Sequence, residues 1–180
     1  QQAKDACLPI KEKLAHCMLL SVMAGISIAT ISNWLDNPRI IRTMPNTPSS
    51  IKQGVTAIFY ADSISQATRV VIETVFSSIG MVYIAKDESE INKILPVSSS
   101  AVAFVYYFME GLINSAVNEF GFTKEDATEI VKQTVLGSVA LLNTTPDINI
   151  EEQRQRVTSK KGTTEQGILT FQQLEFHKVI

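Results

Sequence analysis

A chain of 180 residues with 45 % hydrophobic content is long enough for one ordinary domain, or a small domain with an extension, and carries enough apolar side chain for a substantial core. Charged residues make up 19 % and the formal net charge is -2, which excludes recruitment of nucleic acid or an anionic membrane by bulk electrostatics. Cys7 and Cys17 form no C-x-x-C pair and have only His16 and His177 as further soft ligands, too few for a metal cluster, so they read as reduced, buried thiols of a cytoplasmic protein.

The opening QQAKDACLPIKEKLAHC has no apolar core of signal-peptide length, and the missing initiator Met reads as a processed chain or a fragment. A helical pattern at Ala6, Ile10 and Leu14 leads into residues 18–23, a continuous apolar run of the kind a parallel strand buried on both faces produces. Ala24-Gly25 ends it, Ser27 is placed to cap a helix reaching Leu35, and Asn37-Pro38 breaks that helix. Residues 39–44 predict a second strand and residues 54–61 a third. Between them, Pro45-Asn46-Thr47-Pro48 is a stiff turn at the carboxyl edge of a sheet, where open α/β sheets bind ligands. An ordinary rigid turn explains the same residues.

Ser63 with Gln66 fits a capping box for a helix with apolar Ile64, Ala67, Val70, Val71, Val75 and Ile79 on one face, closed by Gly80; MVYIA follows as a fourth strand. From about residue 88 no strand is predicted. Residues 98–120 read as a helix apolar nearly all round, which must be covered, and a second subunit is the natural cover. Its strictly apolar stretch, residues 101–109, is well short of the roughly 20 residues of a membrane span. Glu110 and Asn114 lie one turn apart on it, a candidate buried polar pair. Thr123 opens another helix with Ala127, Ile130, Thr134, Gly137 and Leu141 on one stripe, Gly137 marking a close crossing, and TTPDIN is a loop. The predicted fold class is thus α/β followed by all-α: a layered α/β sheet over residues 1–87, then a helical region over 88–180.

Near the end, Lys160-Lys161-Gly162-Thr163-Thr164-Glu165-Gln166 places a capping box, Thr163 with Gln166, after a glycine. Free N-H groups at such a helix start suit a carboxylate or phosphate, while an ordinary capped helix with solvated lysines remains the bland reading. There is no G-x-G-x-x-G, so the chain alone has no pyrophosphate cradle, and no G-x-S-x-G, paired-His motif or P-loop.

SVMAGIS, RTMPNTP, GVTAIFYA, VFSSIGMVYIAKDESEINKI, AFVYYFMEGL, QTVLGSV and VTSKKGTT, in this order, resemble the pyrroline-5-carboxylate reductases through nearly the whole chain. The resemblance begins beyond that family's glycine-rich turn and implies a partial Rossmann-like sheet over residues 1–87 and a helical oligomerisation domain over 88–180. It implies an enzyme that reduces 1-pyrroline-5-carboxylate to L-proline, the last step of proline biosynthesis, with NADP or NAD as cofactor and NADPH favoured. Ala24, Gly25, Met44, Pro45, Asn46, Thr47 and Pro48 would line the nicotinamide end. Ser159, Gly162, Thr163 and Thr164, with Ser98 and Ser100, would hold the substrate, and Thr164 would set its hydroxyl near the imine nitrogen. A homodimer through the helical domain, and rings of dimers, are implied as well, with no metal, nucleic acid or membrane. Lys160 and Lys161 stand where the family has Pro-Gly, and residues 98–104 lose two glycines and a proline of the family's S-G-S-G-P-A-Y. The other reading is a non-catalytic, oligomerising relative with altered substrate loops. The 180 residues alone are expected to be poorly active.

Overall fold

The computed structural model describes residues 2–14, 16–37, 39–144 and 149–179. The chain forms two compact units that divide between Phe108 and Met109. In the first, short helices α1 (Gln2–Cys7) and α2 (Lys11–Leu14) precede strand β1 (Leu19–Ser21), helix α3 (Ile28–Leu35) and strand β2 (Ile40–Pro45). Strand β3 (Gly54–Tyr60), helix α4 (Gln66–Ser77), strand β4 (Gly80–Ile84) and helix α5 (Glu90–Leu95) complete it. The sheet order is β1-β2-β3-β4, with β1 parallel to β2, β2 antiparallel to β3 and β3 parallel to β4.

The predicted strands and helices are all present, with local corrections. Ser27 caps α3 as expected, its hydroxyl accepting from the Thr30 N-H at 3.1 Å. The cap of α4 is Ser65, which accepts from Thr68 N-H at 3.3 Å, and not Ser63, because Ser65 is the extended residue just before the first turn. Gly80 does not close α4. It opens β4 with φ 144°, lying so close to Gly54 that a Cβ would stand 2.1 Å from the Gly54 carbonyl oxygen. Strand β1 is not buried on both faces either: Leu20 is 40 % exposed, and among the described residues β2 is its sheet neighbour.

Strand β2 is the centre of the unit, with Ile40, Ile41, Arg42, Thr43 and Met44 all buried. Ile41, Ile58, Tyr60 and Ile64 pack on one side with Ile72 and Phe76 of α4. Met44, Ala57, Ala85 and Ile91 pack on the other with Ile94 and Leu95 of α5. A third cluster joins Ile31, Leu35 and Ile40 to Cys7 and Leu14. Cys17, predicted buried, is exposed, while Cys7 is half-buried; both are free thiols. Burial, then the Glu73 carboxylate, pushes the Tyr60 hydroxyl up to about 12, and the Arg69 guanidinium lies 5.0 Å over its ring. Asn37 takes over the helix break: its carboxamide donates to the Leu14 and Cys17 carbonyls and accepts from Arg39 N-H, while Pro38 lies outside the described residues.

The helix predicted for 98–120 starts earlier. Helix α5 passes through a π turn, Pro96–Ser100, into α6 (Ala101–Phe120). The helical run Glu90–Phe120 is long and apolar enough, by length and composition alone, to cross a membrane, so the short-stretch argument does not carry over to the whole run.

Helix α7 (Lys124–Asn143) is capped by Thr123, as predicted, through Asp126 N-H at 3.1 Å. Helices α8 (Ile150–Arg156), α9 (Thr163–Gln173) and α10 (Phe176–Val179) follow; residues 145–148 of the predicted TTPDIN loop lie outside the described residues. Among the described residues of the second unit, Ala127 and Val131 are the buried apolar ones, so the predicted stripe is buried only at Ala127 while Ile130 and Leu141 are exposed. A Cβ on Gly137 would meet nothing within 4 Å among the described residues, so within the second unit no close crossing is seen there. Glu110 and Asn114 are exposed rather than a buried pair.

Candidate active site

Because β1 and β2 are parallel with Ser21 opposite Arg42, their carboxyl ends finish side by side. The turn holding Ala24 and Gly25 and the loop of residues 45–48 therefore leave the same edge of the sheet, which brings two separately predicted groups together. Ala24 and Gly25 are exposed. Gly25 has φ 71°, and the space where a Cβ would stand is open. Met44 is turned inward into the core cluster with Ala57 and Ile91.

After β2 the chain enters a 3-10 turn, Thr47–Ile51, favoured by Pro48 at its start because proline supplies the φ and has no N-H to satisfy. Asn46 closes the loop. Its N-H donates to the Val55 carbonyl at 3.1 Å and its Oδ1 accepts from Val55 N-H at 2.8 Å. Its Nδ2 donates to the Ser98 carbonyl at 3.2 Å. Thr47 is exposed and Pro48 half-buried.

Ser98 and Ser100 lie in the π turn, a rare geometry that recurs at functional positions of helices. The hydroxyls of Ser98 and Ser99 are buried without a hydrogen-bond partner, as is that of Ser49 beside the proline loop. A buried hydroxyl left unpaired is costly, so these groups are candidates for contact with a ligand.

Sequence reasoning missed the polar group behind this edge. Arg42, 2 % exposed, donates to Glu88 Oε1 at 3.1 Å and to Asn92 Oδ1 at 3.2 Å. The same Glu88 oxygen accepts from Ile28 N-H at 2.6 Å, which puts a carboxylate at the positive end of α3. The available signal was an arginine inside the apolar run I-I-R-T-M, because a charge in a central strand requires a partner. Next to Glu88, the Ser89 hydroxyl donates to Asp87 and holds that carboxyl below its ordinary value.

Ser159, Gly162, Thr163 and Thr164 belong to the second unit. Gly162 is the N-cap of α9, with extended backbone and no side-chain cap, so the predicted box of Thr163 with Gln166 does not form. Instead Glu165 Oε2 accepts the Lys161 N-H at 2.7 Å. Gly162 N-H donates to the Ser159 carbonyl at 3.1 Å, closing a turn in which Lys161 has φ 60°. Lysine here takes up a conformation that favours glycine. A Cβ on Gly162 would lie 2.4 Å from Ser159 Oγ and 3.1 Å from the Ser159 carbonyl oxygen, a tight fit that a turn of the serine side chain relieves in part. Ser159, Thr163 and Thr164 are exposed.

The family model for pyrroline-5-carboxylate reductase dimerisation matches residues 88–180. The pyrroline-5-carboxylate reductase of Pseudomonas aeruginosa is 31 % identical over 100 % of this chain and 66 % of its own length. A solved structure of a pyrroline-5-carboxylate reductase from Coxiella burnetii is 33 % identical with TM-score 0.85, covering 99 % of this chain and 66 % of that one. The NADP-bound structure of the Plasmodium falciparum enzyme shares the fold with TM-score 0.89 at 24 % identity, covering 98 % and 70 %. The chain thus spans about 66 % of the length of the first curated relatives it matches. With a dimerisation match over more than half the chain and a shared fold through both units, the chain belongs to the pyrroline-5-carboxylate reductase family.

Proposed function

We propose that this chain forms part of a cytoplasmic oxidoreductase that reduces 1-pyrroline-5-carboxylate to L-proline with NADPH or NADH, the last step of proline biosynthesis. The carrying observation is the convergence of the Gly25 turn and the proline loop at one carboxyl edge of the sheet. That edge fits the nicotinamide end of such a cofactor: Gly25 leaves open space beside it, and unpartnered hydroxyls stand at Ser98 and Ser99. No glycine-rich turn for the pyrophosphate occurs within these residues.

The bound cofactor supplies the hydride that adds to the C=N carbon. Everything else asked of the protein is positioning. Pro45 and Pro48 keep the loop stiff, which limits the entropy lost on ordering a planar ring against it. With the Gly162 N-H closing the preceding turn on the Ser159 carbonyl, amides of Thr163 and Thr164 take the substrate carboxylate at the start of α9, an 11-residue helix. To do so, the Glu165 carboxylate that accepts from Lys161 must share or yield that position. The Thr164 hydroxyl donates toward the imine nitrogen. No strong general base is needed.

The exposed apolar surface of α6, including Tyr106 and Tyr107 at 64 % and 78 %, supports a homodimer through this helix, and the dimers are open to further assembly into rings. The test is turnover of NADPH and NADH by the full protein encoded by the gene with 1-pyrroline-5-carboxylate. Thr164→Ala lowers kcat/KM by about 10-fold or more while the dimer persists. A folded, dimeric protein without turnover identifies a non-catalytic relative instead.

A further inference from the structure

We infer that Asn46 is a positioning residue, a carboxamide clamp that sets the proline loop against the serine-bearing π turn, rather than a group that recognises the cofactor. The inference rests on the reading of these two segments as the cofactor and substrate borders of one site.

Both ends of the carboxamide are engaged within the chain. Oδ1 accepts the Val55 N-H at 2.8 Å, standing in for a ladder carbonyl where β2 ends. Nδ2 donates to the Ser98 carbonyl at 3.2 Å, across 52 residues of sequence. The backbone of Asn46 is occupied too, donating to Val55 and accepting from Ser49 N-H at 3.1 Å. One side chain therefore closes the loop holding Thr47 and Pro48 and fixes the turn in which Ser98 and Ser99 hold unpartnered hydroxyls. A π turn is a poor helical segment, and Pro96 at its start has no N-H to donate, so an outside donor on its carbonyls contributes to fixing its shape.

Substitution separates the two ends. In Asn46→Asp one oxygen still accepts from Val55 N-H, but the other faces the Ser98 carbonyl with no proton to give. Asn46→Ala loses both contacts. On the full protein, hydrogen exchange followed by mass spectrometry reads each contact without any activity. In Asn46→Asp, exchange over residues 96–103 speeds by about 10-fold while residues 53–58 stay protected; in Asn46→Ala both segments speed up. In steady-state kinetics Asn46→Asp lowers kcat by about 10-fold or more and leaves KM for imine and cofactor within about 3-fold, because misalignment of two held partners costs rate rather than binding.

Unchanged exchange over residues 96–103 in Asn46→Asp overturns the clamp whatever the kinetics. Faster exchange with unchanged kcat overturns the positioning role. A rise in cofactor KM alone shows that Asn46 recognises the cofactor after all. A wild-type protein that does not reduce the imine refutes the proposed function, while the exchange pattern still decides the clamp.

Discussion

The Arg42 guanidinium and the Glu88 carboxylate lie 3.1 Å apart, with side-chain exposures of 3 % and 28 %, and the same carboxylate oxygen receives the Ile28 N-H. This pair joins the central strand, the first turn of α3 and the approach to α5. An arginine in that position cannot reach water, so removing its partner leaves a buried charge uncompensated. Because Glu88 itself is partly solvated, Glu88→Ala should cost about 2 kcal/mol, below the full penalty for breaking a buried pair. Glu88→Gln, which keeps an acceptor for Ile28, should cost less. Urea midpoints measure both, and equal midpoints for wild type and Glu88→Ala would falsify the assignment.

Lys161, with φ 60°, sits in left-handed backbone in the turn before α9. A Cβ there costs on the order of 1 kcal/mol, part of which glycine gives back through its greater freedom when unfolded. Lys161→Gly is therefore expected to stabilise the protein by about 0.5 kcal/mol, and Lys161→Val to destabilise it by about 1 kcal/mol or more through its branched Cβ. Thermal midpoints in the order Gly, Lys, Val support this conformation; a midpoint for Val at or above that of Lys contradicts it.

Gly54 begins β3 directly over the proline loop. A Cβ on it would stand 2.0 Å from Ser49 Oγ and 2.7 Å from the Ser49 Cα and N atoms. The side-chain clash can rotate away, but the backbone clash cannot. Gly54→Ala should cost about 2 to 3 kcal/mol as overpacking. Ser49→Ala, which removes a buried hydroxyl that has no partner, should be close to neutral. Denaturation of the two variants tests the contrast, and a Gly54→Ala protein as stable as wild type would show that the loop sits elsewhere.

Tyr107 is 78 % exposed on α6. Burying a side chain of this kind contributes about 1.5 to 3 kcal/mol, and placing a charge there in a dimer interface reverses that contribution. Tyr107→Glu is expected to raise the dimer dissociation constant by about 10-fold or more. Light scattering across a dilution series reads it; a dimer that resists the change puts the interface on another face.

Much of the fold was legible because its signals are local. Residues 54–61 are rich in apolar and β-branched side chains, and the hydroxyls of Ser27 and Thr123 reach N-H groups three residues ahead, so strand and helix starts could be read from neighbours in sequence. The proline loop and the Gly25 turn were also legible as segments. The family resemblance implied that they share one site, and the parallel pairing of β1 and β2 gives the physical reason that both leave one edge. The misplacement of the α4 cap at Ser63 shows the limit of spacing alone, since Ser63 fits the box with Gln66 while backbone geometry gives the cap to Ser65, which has Thr68 three residues on.

The sequence by itself determined the four strands and the long helices, though not the helices Glu90–Leu95 and Ile150–Arg156, because alternation, periodicity and caps depend on residues within a turn or two of one another. Tertiary structure alone decided that β3 returns antiparallel to β2, that Arg42 is neutralised by Glu88, and that the Asn46 carboxamide is occupied by Val55 and Ser98. Those outcomes depend on hydrogen bonds between residues up to 52 positions apart, for which composition and spacing carry no record.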